Sequence, residues 1–311
     1  MKKPALIILG ILLLAFISIY FIIPQKIQKT NIIEIDANDI NVAKFLVNKR
    51  AWPKWWPGKS NRSDSNNYEF NNAVYQLKNN TNIDIYMQVK HEKLLINDKA
   101  SYRISGDGAC KVIWESEVQS SINPVKRIEE FISMNRHSND IDNILIHFKK
   151  FMQTDTNVYG MTIKLTKVKN PIVLAGTINT AEYPKPAPIY RLINDLKKQI
   201  KAEGAIQLDS PMLNVNPVDK GYESMVAITI NKDIKPGQNM VINHLVKNAN
   251  LLGVQVKGGK NTILNAFEQL KRYQNDHRLI SPAMPYEVLI TNRLTQPDTS
   301  KWVTNIYWPI F

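Results

Sequence analysis

The chain of 311 residues has little of what builds covalent or metal-based frameworks. Its single cysteine, Cys110, excludes an intrachain disulfide and a zinc site made of several thiolates. We expect Cys110 to be a small buried or half-buried residue rather than a reactive thiol. His91 and His137 stand isolated in the sequence, without a third ligand at usable spacing. The sequence therefore predicts no metal site and implies no cofactor.

The chain also lacks the short motifs of common catalytic centres. It contains no G-x-S-x-G, no H-E-x-x-H and no cysteine in a recognisable frame with a histidine. Helix-turn-helix and zinc-finger spacings are missing as well. The net charge of +13 is spread over both halves of the chain instead of forming one long basic run. We therefore predict no nucleic-acid partner and interpret the charge as a basic surface near anionic lipid.

One long apolar run opens the chain. Residues 5–23 are 19 residues without a charge, enough to span a bilayer as a helix. Lys2 and Lys3 precede the run, and neither a small-x-small cleavage site nor a lipobox cysteine follows it. We expect an uncleaved, single-pass anchor in the cell membrane. The two lysines favour an inside N-terminus, with the rest of the chain outside the cytoplasm, in a bacterial periplasm.

The next segment has the order strand, short helix, several strands and long final helix. Lys29–Ala37 alternates like a half-buried strand, and Asp36 or Asn38 can cap the helix that follows it. Strand-like runs come next. Ser138 can cap the final helix, whose apolar residues recur at helical spacing as far as Met152. This order predicts a sheet with one long helix packed on it.

Three tryptophans and two prolines lie within eight residues, which excludes a regular helix interior there. We expect Trp52 and Trp55 to be core residues and Trp56 to be partly exposed. The opening strand, the helix with Val42-Ala43-Lys44-Phe45-Leu46 and the sequence Trp52-Pro53-Lys54-Trp55 resemble the SRPBCC family, especially its polyketide cyclase-like branch. The resemblance implies a helix-grip START-like fold, in which the long helix closes the sheet over an apolar cavity.

A repeated pattern fills the second half of the chain. A strand at Ile172–Ile178 is followed by a helix and two strands. A strand at Leu251–Val256 is again followed by a helix and two strands, around Tyr286–Thr291 and Trp302–Tyr307. Two strand-helix-strand-strand units about 75 residues apart predict a pseudo-twofold domain. A cleft between such paired units is a usual ligand site.

The polar break at residues 154–157 separates the two patterns. The predicted fold class is α+β with three parts: a transmembrane anchor at 1–26, a START-like domain at 27–154 and the duplicated domain at 155–311.

Glu287 is the most informative residue of the C-terminal stretch, because it lies in an apolar strand. A carboxylate buried alone costs several kcal/mol, so Glu287 must be exposed, paired or at the back of a pocket. The sequence Pro285-Tyr286-Glu287-Val288, a Pro-Asp turn and a final aromatic strand resemble the end of the GyrI-like domain, also called the AraC-type effector-binding domain. The resemblance implies a cleft for small, often cationic or aromatic molecules, with Glu287 at its base.

One position departs from that family. Lys260 follows the glycine turn before the second helix, where many members have an aromatic residue. It can pair with Glu287 or with an anionic ligand, or it is a solvent-facing lysine at a helix start. The candidate ligand-binding residues are Glu287, Trp302, Tyr307, Trp308, Lys260 and Trp56.

These features predict a membrane-anchored protein that binds a small hydrophobic, amphipathic or aromatic molecule in its C-terminal cleft. Two alternatives stay open. The first is a hydrolase of small electrophiles, with Glu287 as general base and a tyrosine from another strand, such as Tyr222 or Tyr307, as its partner. We do not expect Tyr286 in that role, because adjacent strand residues point to opposite faces. The second is a structural envelope protein whose cavities are filled by side chains.

Overall fold

The computed structural model is a mixed α+β structure that describes residues 10, 14, 16–60, 66–106 and 108–311. The chain divides into two compact units, unit 1 at Met1–Val158 and unit 2 at Tyr159–Phe311. Residues 16–22 are helical, and the rest of the predicted membrane segment lies largely outside the described residues. Within the described ranges, no helix is both long enough and apolar enough to cross a membrane.

Unit 1 contains an antiparallel sheet that has seven strands among the described residues, in the spatial order β1-β7-β6-β5-β4-β3-β2. Strands β2 to β7 form a meander, and the first strand of the chain closes the sheet beside the last one. The strands are β1 (Lys26–Ile35), β2 (Lys59–Ser60), β3 (Asn67–Phe70), β4 (Ala73–Asn80), β5 (Asp84–His91), β6 (Leu94–Ile104) and β7 (Cys110–Gln119).

After the helical residues 16–22, the helices of unit 1 in the described part of the chain are α1 (Asp39–Leu46), a 3-10 helix (Lys49–Lys54), α2 (Pro124–Met152) and α3 (Asp155–Val158). The side chain of Asn38, one of the two predicted caps, accepts a hydrogen bond from the N–H of Ile40 at the start of α1. The prediction that Ser138 caps the long helix is wrong. Helix α2 begins at Pro124, and the Asn123 side chain caps it. The N-terminal part of α2 does not show a clear helical period in the sequence, because Arg127 and His137 interrupt the apolar face that the helix buries.

Aromatic rings fill the space between α2 and the sheet. Trp52 and Trp55 are buried as predicted, and the ring of Phe148 from α2 lies 4.6 Å from that of Trp55. The expected partial exposure of Trp56 is wrong, because its ring packs against Trp52 and its Nε1 donates to the carbonyl of Glu69. Only 7% of Trp56 is exposed. These rings are structural core of unit 1.

The two histidines that are isolated in the sequence are neighbours in unit 1. The rings of His91 and His137 lie 5.8 Å apart. His137 Nε2 lies 2.9 Å from Asp98 Oδ2, which also accepts a hydrogen bond from Trp114 Nε1 at 2.8 Å. Among the residues described, no group of three or more histidine, cysteine or acidic side chains could hold a metal ion. The buried Asp98 carboxylate is therefore satisfied by protein donors.

Unit 2 contains an antiparallel sheet that has eight strands in the part of the chain described, in the order β12-β9-β11-β10-β14-β15-β13-β8. Its strands are β8 (Lys164–Lys167), β9 (Ile172–Thr180), β10 (Met212–Val218), β11 (Gly221–Thr229), β12 (Met240–His244), β13 (Asn250–Lys257), β14 (Tyr286–Leu289) and β15 (Val303–Ile310). Its α-helices are α4 (Pro186–Ala202) and α5 (Lys260–Asp276).

The element order of unit 2 repeats, as the sequence pattern indicates. The series β9-α4-β10-β11 corresponds to β13-α5-β14-β15, and in each half the last strand of the series lies between the other two. The halves meet where β10 pairs with β14, and there Leu213 lies directly opposite Glu287. Both helices pack on the same face of the sheet. Glu287 therefore lies at the centre of the duplicated unit, on the face that carries the helices.

The aromatic packing of unit 1 generates a first prediction. Replacing Phe148 by alanine should lower the free energy of unfolding by about 3–5 kcal/mol, because it leaves a cavity against Trp55. The matched control is Ile146→Ala in the same helix, whose side chain is exposed and which should change stability by less than about 0.5 kcal/mol. Urea unfolding followed by tryptophan fluorescence measures both. Equal losses for the two variants would contradict the packing described.

Candidate functional site

A cavity of about 330 Å³ opens on the helix-covered face of the unit 2 sheet. The first turns of α4 and α5 form two of its sides, and the loop between β14 and β15 forms a third. Its lining residues are Tyr183, Pro184, Lys185, Pro186, Ile189, Tyr190, Leu213, Lys260, Ile263, Leu289, Arg293, Thr299 and Trp302. We call this cavity the cleft. Most of its lining is apolar or aromatic, and its charged lining residues are all cationic.

Glu287 lies beneath the cleft and does not reach solvent. Only 2% of the residue is exposed, because β14 is an inner strand and alternation turns this side chain towards the helices. Its Oε2 accepts a hydrogen bond of 2.6 Å from Arg293 Nη2. Burial raises the pKa of Glu287, while the nearby Arg293 guanidinium opposes that rise. Of the three placements open to this carboxylate, the structure shows the paired one.

Arg293 connects the floor of the cleft to its walls. The same Nη2 also donates to Thr304 Oγ1 at 3.0 Å, and the guanidinium carbon lies 4.9 Å from the ring centre of Trp302. The backbone N–H of Arg293 donates to the Tyr190 hydroxyl, which itself donates to the carbonyl of Thr291. Among the described residues, the buried Nε of Arg293 has no hydrogen-bond partner.

Tyr183 and Lys260 meet across the mouth of the cleft. Lys260 Nζ lies 3.9 Å from the ring centre of Tyr183, a cation–π contact between the first residue of α5 and the segment before α4. The ring of Tyr222 backs that of Tyr183 at 5.5 Å. Burial, with a smaller contribution from the charge of Glu287, raises the pKa of Tyr183 to about 12. The hydroxyl of Tyr183 is therefore a neutral donor at physiological pH.

The predicted site residues fall into two groups. Glu287, Trp302 and Lys260 come together at the cleft. Tyr307 lies on the opposite face of the sheet, where its ring contacts that of Tyr286 at 5.5 Å. Trp308 is on the helix face, but its Nε1 donates to Gln274 near the end of α5, away from the cleft. Trp56, the sixth candidate, belongs to the core of unit 1. Two of the candidate ligand-binding residues, Tyr307 and Trp308, therefore do not line the cleft.

Three residues of the cleft are not among those predicted from the sequence: Arg293, Tyr183 and Tyr190. Arg293 is six residues after Glu287 in a loop that reads only as a polar turn, and nothing in its neighbours marks it as buried. Tyr190 carried a usable signal, because it follows Ile189 on the apolar face of a clearly periodic helix. Tyr183 contacts Lys260 because the first residues of α4 and α5 lie close together in the fold. The order of elements along the chain does not predict that proximity.

A second cavity, of about 530 Å³, lies on the other face of the same sheet. Its lining is mainly apolar and includes Ala175, Met225, Ala227 and Tyr286. The Glu287 side chain is directed to the opposite face, so this second cavity does not share the polar floor of the cleft.

No family model matches the chain, and no curated protein matches it either. Solved structures do resemble it. One is the C-terminal domain of EcmrR, with 16% identity and a TM-score of 0.41 over 49% of this chain and 98% of that one. Another is SAV2435 bound to tetraphenylphosphonium, with 11% identity and a TM-score of 0.33 over 49% of this chain and 94% of that one.

A third is a START superfamily protein from Mycobacterium smegmatis, with 9% identity and a TM-score of 0.26 over 39% of this chain and 98% of that one. The structural neighbours thus include GyrI-like effector-binding proteins and a START superfamily protein, at low identity and partial coverage. At these scores the function of the chain has to be argued from its own residues.

The buried ion pair generates a second prediction. Arg293→Ala removes the charge that opposes the rise in the pKa of Glu287, so the folded-state pKa of Glu287 moves further above its unfolded value of 4.5. The stability that this group contributes is then present below the unfolded value and is lost as the pH rises through the folded one. We expect a loss of about 3–5 kcal/mol relative to wild type near neutral pH, and a smaller loss near pH 5.

Urea unfolding of the variant and of wild type at both pH values measures this difference. The control is the double variant Glu287→Gln, Arg293→Ala. It has no carboxylate at position 287, so the extra pH dependence of stability should disappear. A loss in Arg293→Ala that is the same at both pH values would show that the pairing does not set the protonation of Glu287.

Proposed function

We propose that the chain is a small-molecule-binding protein whose ligand enters the cleft of unit 2. The observation that carries the proposal is a cavity with aromatic walls above a polar floor that is already assembled. Its volume falls in the range of sites for drug-sized ligands. Trp302 is held as a wall by a hydrogen bond from its Nε1 to the carbonyl of Gln296, at 2.7 Å. Such pre-organisation lowers the entropy cost of binding.

Binding fits the floor of the cleft better than catalysis does. A general base needs a free carboxylate oxygen close to a water or substrate proton. In Glu287 one oxygen is engaged by Arg293 at 2.6 Å, and the charge of Arg293 opposes the rise in the pKa of Glu287 that burial causes. Tyr307, one of the two tyrosines considered as a catalytic partner, is on the far face of the sheet. The hydrolase is therefore the second candidate.

The proposal includes attachment to a membrane through residues 5–23. Its support is the sequence alone: a run of 19 uncharged residues that begins shortly after Lys2 and Lys3. A net charge of +13 gives the chain a basic surface that attracts anionic groups. In this arrangement both folded units lie outside the cytoplasm, on the periplasmic side. Unit 1, whose core includes the rings of Trp52, Trp55 and Phe148, acts as a packing scaffold.

Blocking the cleft tests the binding proposal. Thr299 is exposed and lines the cleft, so Thr299→Trp should fill the cavity without disturbing the core. Thr295→Trp is the matched control, since it adds the same ring in the same loop outside the lining. A library of aromatic compounds is screened by thermal shift and native mass spectrometry. We expect compounds that stabilise wild type and the control but not Thr299→Trp; if binding is unaffected by Thr299→Trp, the cleft is not the site.

Fractionation tests the anchor. The full chain should remain in the membrane pellet after an alkaline wash. Leu12→Arg together with Leu14→Arg should move it to the soluble fraction, because each charge costs about 3 kcal/mol near the centre of a spanning helix. Leu12→Ala with Leu14→Ala is the control and should stay in the pellet. Recovery of the wild-type chain in the soluble fraction would contradict attachment through this segment.

A further inference from the structure

The charge of the cleft differs from what a carboxylate at its base suggests. Its lining includes Lys185, Lys260 and Arg293, and within the described residues no acidic side chain lines it. Glu287 is beneath the lining, and its single charge is compensated by Arg293. A ligand that enters the cleft therefore meets a lining that includes two lysines and, among the described residues, no acidic side chain.

Arg293 already occupies the position that a cationic ligand would need. Its guanidinium stacks over Trp302 and donates to Glu287 Oε2, so the aromatic face and one oxygen of the buried carboxylate are engaged. A cation that took this position against Glu287 Oε2 would have to displace Arg293. The side chain of Arg293 is 91% buried, because its exposed fraction is 9%. Displacing it would leave a buried guanidinium without its partner, which costs several kcal/mol.

The first turn of α5, whose Lys260 lines the cleft, carries backbone donors that α4 lacks. Among the described residues, neither N-cap, Lys185 for α4 and Gly259 for α5, forms a side-chain cap hydrogen bond. The two helix starts differ, however. Helix α4 begins Pro186-Ala187-Pro188, and prolines have no N–H to donate. Helix α5 begins Lys260-Asn261-Thr262, which keeps three backbone N–H groups and the positive end of the helix dipole.

We infer that the ligand of the cleft is an organic anion, an aromatic or apolar molecule that carries a carboxylate or a similar acidic group. Its acidic group lies at the start of α5, near Lys260, and its body packs against Tyr183, Tyr190 and Trp302. Arg293 lines the same cavity, so three cationic residues border it. The inference rests on the proposed function, since it specifies the ligand of the same cleft.

The test compares two probes of nearly equal shape and opposite charge, 2-naphthoate and naphthalen-2-ylmethylammonium, binding to the full chain by titration calorimetry. We expect 2-naphthoate to bind at least about tenfold more tightly, and less tightly as salt is added. Lys260→Glu should weaken 2-naphthoate binding by about tenfold and narrow or reverse the preference. A glutamate is favourable in the first turn of a helix, so this variant should fold normally.

The matched control is Lys271→Glu, which makes the same charge change at an exposed position further along α5. It should leave both affinities unchanged; an equal effect of Lys271→Glu and Lys260→Glu would reduce the preference to net charge and overturn the inference. A preference for the ammonium probe, abolished by Thr299→Trp, would also overturn it while leaving the proposed function intact. Binding of either probe that Thr299→Trp does not change would instead contradict the proposed function itself.

Discussion

The ion pair between Glu287 and Arg293 is the interaction on which unit 2 depends. A carboxylate in an inner strand under two helices would be costly without a partner, because burial removes its hydration. Arg293 supplies that partner from the loop between β14 and β15, so the pair fixes the loop as well as the charge. The hydrogen bonds of Arg293 with Thr304 and Tyr190 then tie the loop to β15 and α4. The floor and one wall of the cleft are consequently one connected structure.

The duplicated architecture explains where this pair lies, and the divergence of the two halves explains its chemistry. The repeat brings two equivalent strands together at the centre of the sheet, where Leu213 faces Glu287. One half has an apolar side chain there and the other carries a charge. The helix starts differ in the same way: Pro186 opens α4, while Lys260 opens α5. A symmetric scaffold thus encloses an asymmetric site, with most backbone donors on the side of α5.

Much of the architecture was accessible from local patterns. The alternation of apolar residues gave the strands around Glu287 and Trp302, and helical spacing gave α4 and α5, because burial on one face leaves a period in the sequence. The misses have physical causes. The helix predicted from Ser138 onwards was too short, because the observed α2 also buries Arg127 and His137, two polar residues that form hydrogen bonds with other elements. Strand β12 lies at an edge of the sheet with little buried surface, so it left no clear pattern.

The amino-acid sequence alone determined the element types, the repeat in unit 2, the apolar run at residues 5–23 and the conflict of a carboxylate in an apolar strand. These properties are local, since each is encoded within a few turns or strands. Only the tertiary structure decided how that conflict is resolved. Strand order and the path of the loops decide that Arg293 pairs with Glu287, that Tyr307 lies on the opposite face of the sheet and that Trp56 is buried. They bring together residues whose spacing along the chain does not predict a contact.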